Sequence, residues 1–202
     1  RRYMVLNLSN YKPKLLITTI GLLWVFSSWA LSNFWGYGFL QGIGPTAVVM
    51  MVFSIYDRWL WKVPGFSLFN TVPNLNGTYE GEISFHFQGQ DGKKAIKMKV
   101  KQTCSHIKIT SHFSKPGEKD TQSMSSEAFI KTDPAGDKHL YFYYHNRGSN
   151  ESGDTLDPHD GMNVLEIHEN SDDIRLSGYY FTNRNPQTKG SMSVTIKNQR
   201  GI

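Results

Sequence analysis

Eight residues of this chain have the types that hold a small, flat, negatively charged molecule. Phe85, Tyr144 and Tyr180 offer ring faces, and Tyr144 and Tyr180 add a phenol for hydrogen bonding. Arg184 carries a guanidinium fork that matches phosphate oxygens. Asn146 and Asn163 each present one acceptor and one donor edge, and Ser125 and Thr182 present hydroxyls. Rings, one guanidinium and several amides together describe a small nucleotide better than a fatty acid. These residues are spread from position 85 to position 184, so only the fold can unite them.

Catalytic chemistry has less to build on. His139, His145, His159 and His168 are scattered, with no H-x-x-x-H spacing. The single cysteine, Cys104, has no partner for a zinc site or an intrachain disulfide, and it reads as a small buried residue. There is no G-x-S-x-G and no P-loop. No catalytic residue, metal ligand or cofactor is expected, and the chain reads as a binding protein rather than an enzyme.

The elements that must position the eight residues are strands. After residue 74, runs rich in aromatic and β-branched residues alternate with turn signals at Asp91-Gly92, Lys115-Pro116-Gly117 and Asp133-Pro134-Ala135-Gly136. Eight strands follow, over 76–88, 94–103, 106–113, 123–131, 139–146, 161–168, 174–184 and 189–197. Eight short antiparallel strands in this length predict an up-and-down β-barrel of lipocalin or streptavidin type, with a sandwich as the alternative. Odd strands then end where even strands begin. The seventh, "IRLSGYYFTNR", runs from Ile174 and Leu176 to Tyr180, Thr182 and Arg184 on one face. The first ends in Phe85 and Phe87, the third in Phe113, and the fifth in Tyr144 and Asn146. The fourth begins with Ser123 and Ser125 and the sixth with Asn163. All meet at one mouth, over an apolar floor that includes Ile107, Leu140 and Leu176. The longer connections, 114–122 and 147–160, lie at that mouth. The chain enters and leaves at the floor, which would turn the mouth away from a membrane. The opposite parity of the seventh strand would send Tyr179, Phe181 and Asn183 inward and remove Arg184.

The first third differs in kind. "LLITTIGLLWVFSSWAL" (15–31) and "GFLQGIGPTAVVMMVFSIY" (38–56) carry no charge, and each is near the length needed to span a bilayer as helix. Trp35, Tyr37, Trp59 and Trp61 flank them where interfacial aromatics belong. Gly38 and Gly42 form a G-x-x-x-G, a motif for close helix association. The expected organisation is 1–62 with spans at about 15–32 and 38–56, a linker at 63–74 and the barrel at 75–202. The first 62 residues hold six of the 22 bases and one of the 17 acids, so the remainder balances 16 against 16. A barrel without net charge argues against binding a DNA or RNA duplex. Arg1, Arg2, Lys12 and Lys14 before the first span, with Arg58 and Lys62 after the second, place both termini and the barrel in the cytoplasm.

Five stretches carry a resemblance: "LNGTYEG" (75–81), "SMSSEAFI" (123–130), "LYFYYHN" (140–146), "GYYFTNR" (178–184) and "KGSMSV" (189–194). With two spans before them, the chain resembles the two-transmembrane β-barrel effectors of CBASS antiphage systems, minimal barrel receptors for cyclic nucleotides. The resemblance implies that the barrel binds a cyclic oligonucleotide, in first place a cyclic dinucleotide, made by a CD-NTase. It further implies homo-oligomerisation on activation and disruption of the bacterial inner membrane, killing the infected cell. The residues alone leave two other readings open. One is a membrane-tethered carrier of a small lipid or metabolite. The other is an anchored barrel that binds a protein through 147–160.

Overall fold

A computed structural model describes residues 8–35, 40–87, 89–114, 120–146, 158–170 and 173–199. The chain divides into two compact units. One gathers the described residues up to Asn74 with Thr103–Ser105; the other holds Leu75–Gln102 and the described residues from His106 onward.

The first unit contains α1 (Pro13–Trp35) and α2 (Leu40–Arg58), which pack on each other and bury Ser27, Pro45 and Val49. Proline opens α1, at a position where its missing N–H costs no helix bond. Ile17, Leu22, Val25 and Phe26 of α1 are exposed. By length and composition α1 can cross a membrane over Pro13–Asn33. Among the described residues α2 does not reach that standard, its apolar run being broken by Gln41 and Pro45 and closed by Asp57 and Arg58. Tyr37 and Gly38 of the proposed interfacial belt and glycine motif lie outside the described residues.

The segment read as a linker is folded. Short 3-10 turns cover Leu60–Lys62 and Phe66–Phe69, and Asn70 pairs as an isolated bridge with Tyr11. Trp61, expected at a membrane interface, is 2% exposed, and Asn70 donates to its carbonyl at 3.1 Å. The buried carboxylate of Asp57 accepts the Tyr11 hydroxyl at 2.7 Å and the Ser105 N–H at 2.8 Å. Asn10 donates to the Cys104 carbonyl at 2.7 Å. Burial pushes the Cys104 thiol up to about 12, which keeps it protonated and unreactive.

The second unit is a closed antiparallel barrel in which sequential strands neighbour one another and β8 returns to β1. Its strands are β1 (Gly77–Phe87), β2 (Gln90–Gln102), β3 (Ile107–Ser114), β4 (Thr121–Thr132), β5 (Lys138–Asn146), β6 (His159–Glu169), β7 (Ile174–Thr182) and β8 (Lys189–Gln199). The expected fold is present, with three corrections. The first hairpin reverses between the paired residues Phe87 and Gln90, with Gly89 at φ 77°, whereas Asp91 and Gly92 sit inside β2. A tight two-residue reversal needs a left-handed residue, which glycine supplies. The seventh strand stops at Thr182, so Arg184 belongs to the loop after it. In β4 the register slips between Ser125 and Glu127. That bulge puts Ser123 and Ser125 inward above it and Ile130 inward below it, which simple alternation cannot do.

The floor is apolar. Leu140, Leu165, Leu176 and Val194 are buried there with Tyr79, whose hydroxyl donates to the Leu75 carbonyl at 3.0 Å. Asn76 and Gln102 exchange side chain–backbone bonds of 3.0 and 2.8 Å, tying the start of β1 to the end of β2.

Candidate functional site

Burial alternates at both ends of β7, with Ile174, Leu176, Tyr180 and Thr182 buried and Arg175, Tyr179 and Phe181 exposed, while Ser177 and Gly178 between them are half-buried. The parity left open by the sequence is therefore the one that keeps Tyr180 inside. Cross-strand pairing then arranges the candidate residues in tiers. The deeper tier runs Phe142–Asn163–Tyr180–Gly190–Phe85–Gly92 through β5, β6, β7, β8, β1 and β2. The tier above it runs Ser125–Tyr144–Gly161–Thr182. Asn146, paired with Ser123, lies closer still to the rim. All seven strand residues proposed from the sequence thus occupy the inward parity in the mouth half of the barrel.

Two glycines make room for the rings. A Cβ on Gly161 would collide with the Tyr144 phenol, and one on Gly92 with the Phe85 ring. Both rings therefore lie flat across a neighbouring strand, a placement open only over glycine.

The eight residues do different work. The Ser125 hydroxyl accepts the Ile109 N–H at 2.9 Å, so it closes the β3–β4 ladder beside the bulge. The Thr182 hydroxyl donates to the Thr188 carbonyl at 3.3 Å and accepts the Thr188 and Arg184 N–H groups at 3.2 and 3.4 Å. These two hydroxyls build the frame. Asn163 is different. It is 2% exposed, flanked by Phe142 and Tyr180, and its Oδ1 has no hydrogen-bond partner among the described residues.

The electrostatics of the mouth are those of neutral phenols under positive charge. Burial pushes the Tyr180 phenol up to about 12. Burial also raises Tyr144 above its ordinary value; Tyr180 adds to this, and the Arg184 charge pulls the other way. The Arg184 guanidinium stands 5.1 Å from the Phe87 ring centroid. A second cation joins it, one not among the eight residues singled out from the sequence: Lys94 sits two residues before Ile96, on the same inward parity, with its ammonium 5.8 Å from the Phe85 centroid. The signal was available, because the alternation that buries Ile96, Met98 and Val100 extends back to Lys94. The outward lysines Lys97 and Lys197 instead clasp Glu80, at 3.1 and 2.8 Å. No group of His, Cys, Asp and Glu among the described residues could hold a metal ion.

Residues 147–157 of the expected mouth loop lie outside the described residues. What is described is a barrel with an apolar floor, an inward tier of rings, an amide oxygen of Asn163 without a hydrogen-bond partner, and two cations over rings of β1.

Over 76 residues the chain is 30% identical to CD-NTase-associated protein 15 of Staphylococcus schleiferi, a stretch that is 37% of this chain and 41% of that protein. The family model for the Cap15 cyclic dinucleotide receptor domain matches residues 70–196, from just before the barrel into β8. That match covers more than half of the sequence, and the chain belongs to the Cap15 cyclic dinucleotide receptor domain family.

Proposed function

We propose that this chain is a CBASS effector whose barrel mouth binds a cyclic dinucleotide and passes that event to the membrane. The observation that carries the reading is the unpaired Oδ1 of Asn163. A buried acceptor without a partner costs about 1–3 kcal/mol, so it needs a reason to persist. A nucleobase edge supplies one, since every base presents an N–H donor. In this reading a base slides in beside Phe142 and Tyr180 and gives that donor to Asn163. A cyclic dinucleotide carries two phosphodiester charges, and Arg184 and Lys94 supply two cations at the mouth. A neutral lipid offers neither an anion for those cations nor a donor for the amide oxygen, whereas a cyclic dinucleotide offers both.

The exposed apolar side chains of α1 motivate the membrane part. In water such a surface invites aggregation, and in a bilayer it is solvated. Ligand-driven self-association of chains anchored by both helices in the inner membrane, with barrel and termini cytoplasmic, would concentrate their short spans and breach the bilayer. The function needs no bond-making step.

The test uses the full chain in vesicles loaded with a self-quenching dye. Some member of a cyclic dinucleotide panel is expected to cause leakage together with a cross-linkable oligomer. Leakage that ignores every member would count against the effector reading, even if binding survived.

A further inference from the structure

We propose that Asn183 is a positioning residue that latches the loop carrying Arg184 over the barrel mouth. The proposal rests on the receptor reading above. It concerns an exposed residue on the outward parity, not one that lines the mouth.

β6 and β7 pair up to Gly161 and Thr182, so the next pair in register is Asp160 with Asn183. In a continuing ladder these two would exchange backbone N–H···O=C bonds. Half of that exchange is present, as the Asn183 N–H donates to the Asp160 carbonyl at 3.0 Å. The other half is replaced: the Asp160 N–H donates to the Asn183 side-chain Oδ1, also at 3.0 Å. The amide side chain stands in for its own backbone carbonyl. The sheet edge stays satisfied while the main chain is released to turn away at the next residue, which is Arg184. The Asp160 end is braced as well, its carboxylate lying 2.8 Å from Nδ1 of His145 on β5.

The far end of the loop is tied back by a separate set of bonds. The Thr182 N–H donates to the Thr188 carbonyl at 3.0 Å, and Gln187 Nε2 donates to the Thr182 carbonyl at 3.1 Å. Between these ties the Arg184 N–H meets the Thr182 hydroxyl, and the guanidinium reaches the Phe87 ring. A long, flexible cation is thereby held close to one place before any phosphate arrives. Such pre-ordering raises affinity by removing part of the entropy cost of binding.

The experiment is a double-mutant cycle on the full chain in detergent, read by calorimetry with the cyclic dinucleotide the wild type binds best. Arg184→Ala is expected to weaken binding roughly 10- to 100-fold, as for a lost charge-assisted contact. Asn183→Ala is expected to weaken it about tenfold and to flatten its salt dependence. The double variant is expected to be no weaker than Arg184→Ala alone, because the latch acts only through the arginine. Wild-type affinity in Asn183→Ala, or losses that simply add, would overturn the latch while leaving the receptor reading intact. Absence of binding by the wild type would refute the receptor reading and the latch with it. If Asn183→Ala does not fold, Gln187→Ala cuts the other tie and is judged by the same criterion.

Discussion

Replacing Asn163 by leucine should make the barrel more stable and the receptor blind. The two side chains share a branched outline, leucine being the bulkier, and the neighbours of Asn163 in its tier are Phe142 and Tyr180. The substitution removes an acceptor that has no partner. It returns the desolvation cost of that group, about 1–3 kcal/mol. For a domain of this size each 1 kcal/mol moves the thermal midpoint by roughly 4 °C, so a rise of up to ~12 °C is expected, reduced by the cost of seating the bulkier leucine. All five tryptophans lie at or before Trp61, so their fluorescence reports the N-terminal unit. The barrel should be followed by the near-ultraviolet circular dichroism of its tyrosines. Ligand affinity should fall at least tenfold in the same protein, since the lost acceptor leaves a buried donor of the base unpaired. A variant that melts lower than the wild type would refute the expected gain in stability. One that melts higher and binds as before would remove Asn163 from the site.

Other expectations follow from the same geometry. The Tyr180 phenol ionises near 12 in the fold and near 10 when unfolded, so its contribution is complete below pH 10 and is lost as pH rises towards 12. The loss is on the order of 3 kcal/mol, and urea midpoints at pH 9 and pH 11.5 should lie closer together in Tyr180→Phe than in the wild type. Lys94→Ala should weaken ligand binding about tenfold at low salt and less at high salt, with the outward Lys97→Ala unchanged as the control. Asp57→Ala should destabilise the N-terminal unit by about 2–4 kcal/mol, seen by tryptophan fluorescence, because the buried Tyr11 hydroxyl and Ser105 N–H lose their acceptor.

The barrel was legible because its strands obey a two-residue period, and β7 shows it at both of its ends. Direction along that strand carried further information: apolar at one end, polar at the other, it told floor from mouth. What escaped were features decided by partners rather than by local pattern. The β4 bulge exists because Ser125 closes a bond to Ile109 while Ile130 must still reach the floor, and neither demand is visible within β4. The dipeptide Asp91-Gly92 favours turns and by itself predicts the first reversal there. Register with β1 uses Gly92 instead as the seat of the Phe85 ring. Strand β7 ends early because Asn183 supplies a side-chain acceptor in place of its carbonyl, a substitution that requires Asp160 opposite. Trp61 looked like a membrane-interface residue by its place in the chain, yet folding of 60–70 buries it.

The central claim is that the mouth of this barrel binds a cyclic dinucleotide. Its most direct measurement is calorimetric titration of the full chain in detergent with a panel covering the base combinations, repeated for Asn163→Leu and Arg184→Ala. The account predicts saturable binding of at least one member by the wild type, and a loss of tenfold or more in each variant while the barrel's tyrosine signal shows it folded. No heat with any member, or binding that neither substitution weakens, would contradict it.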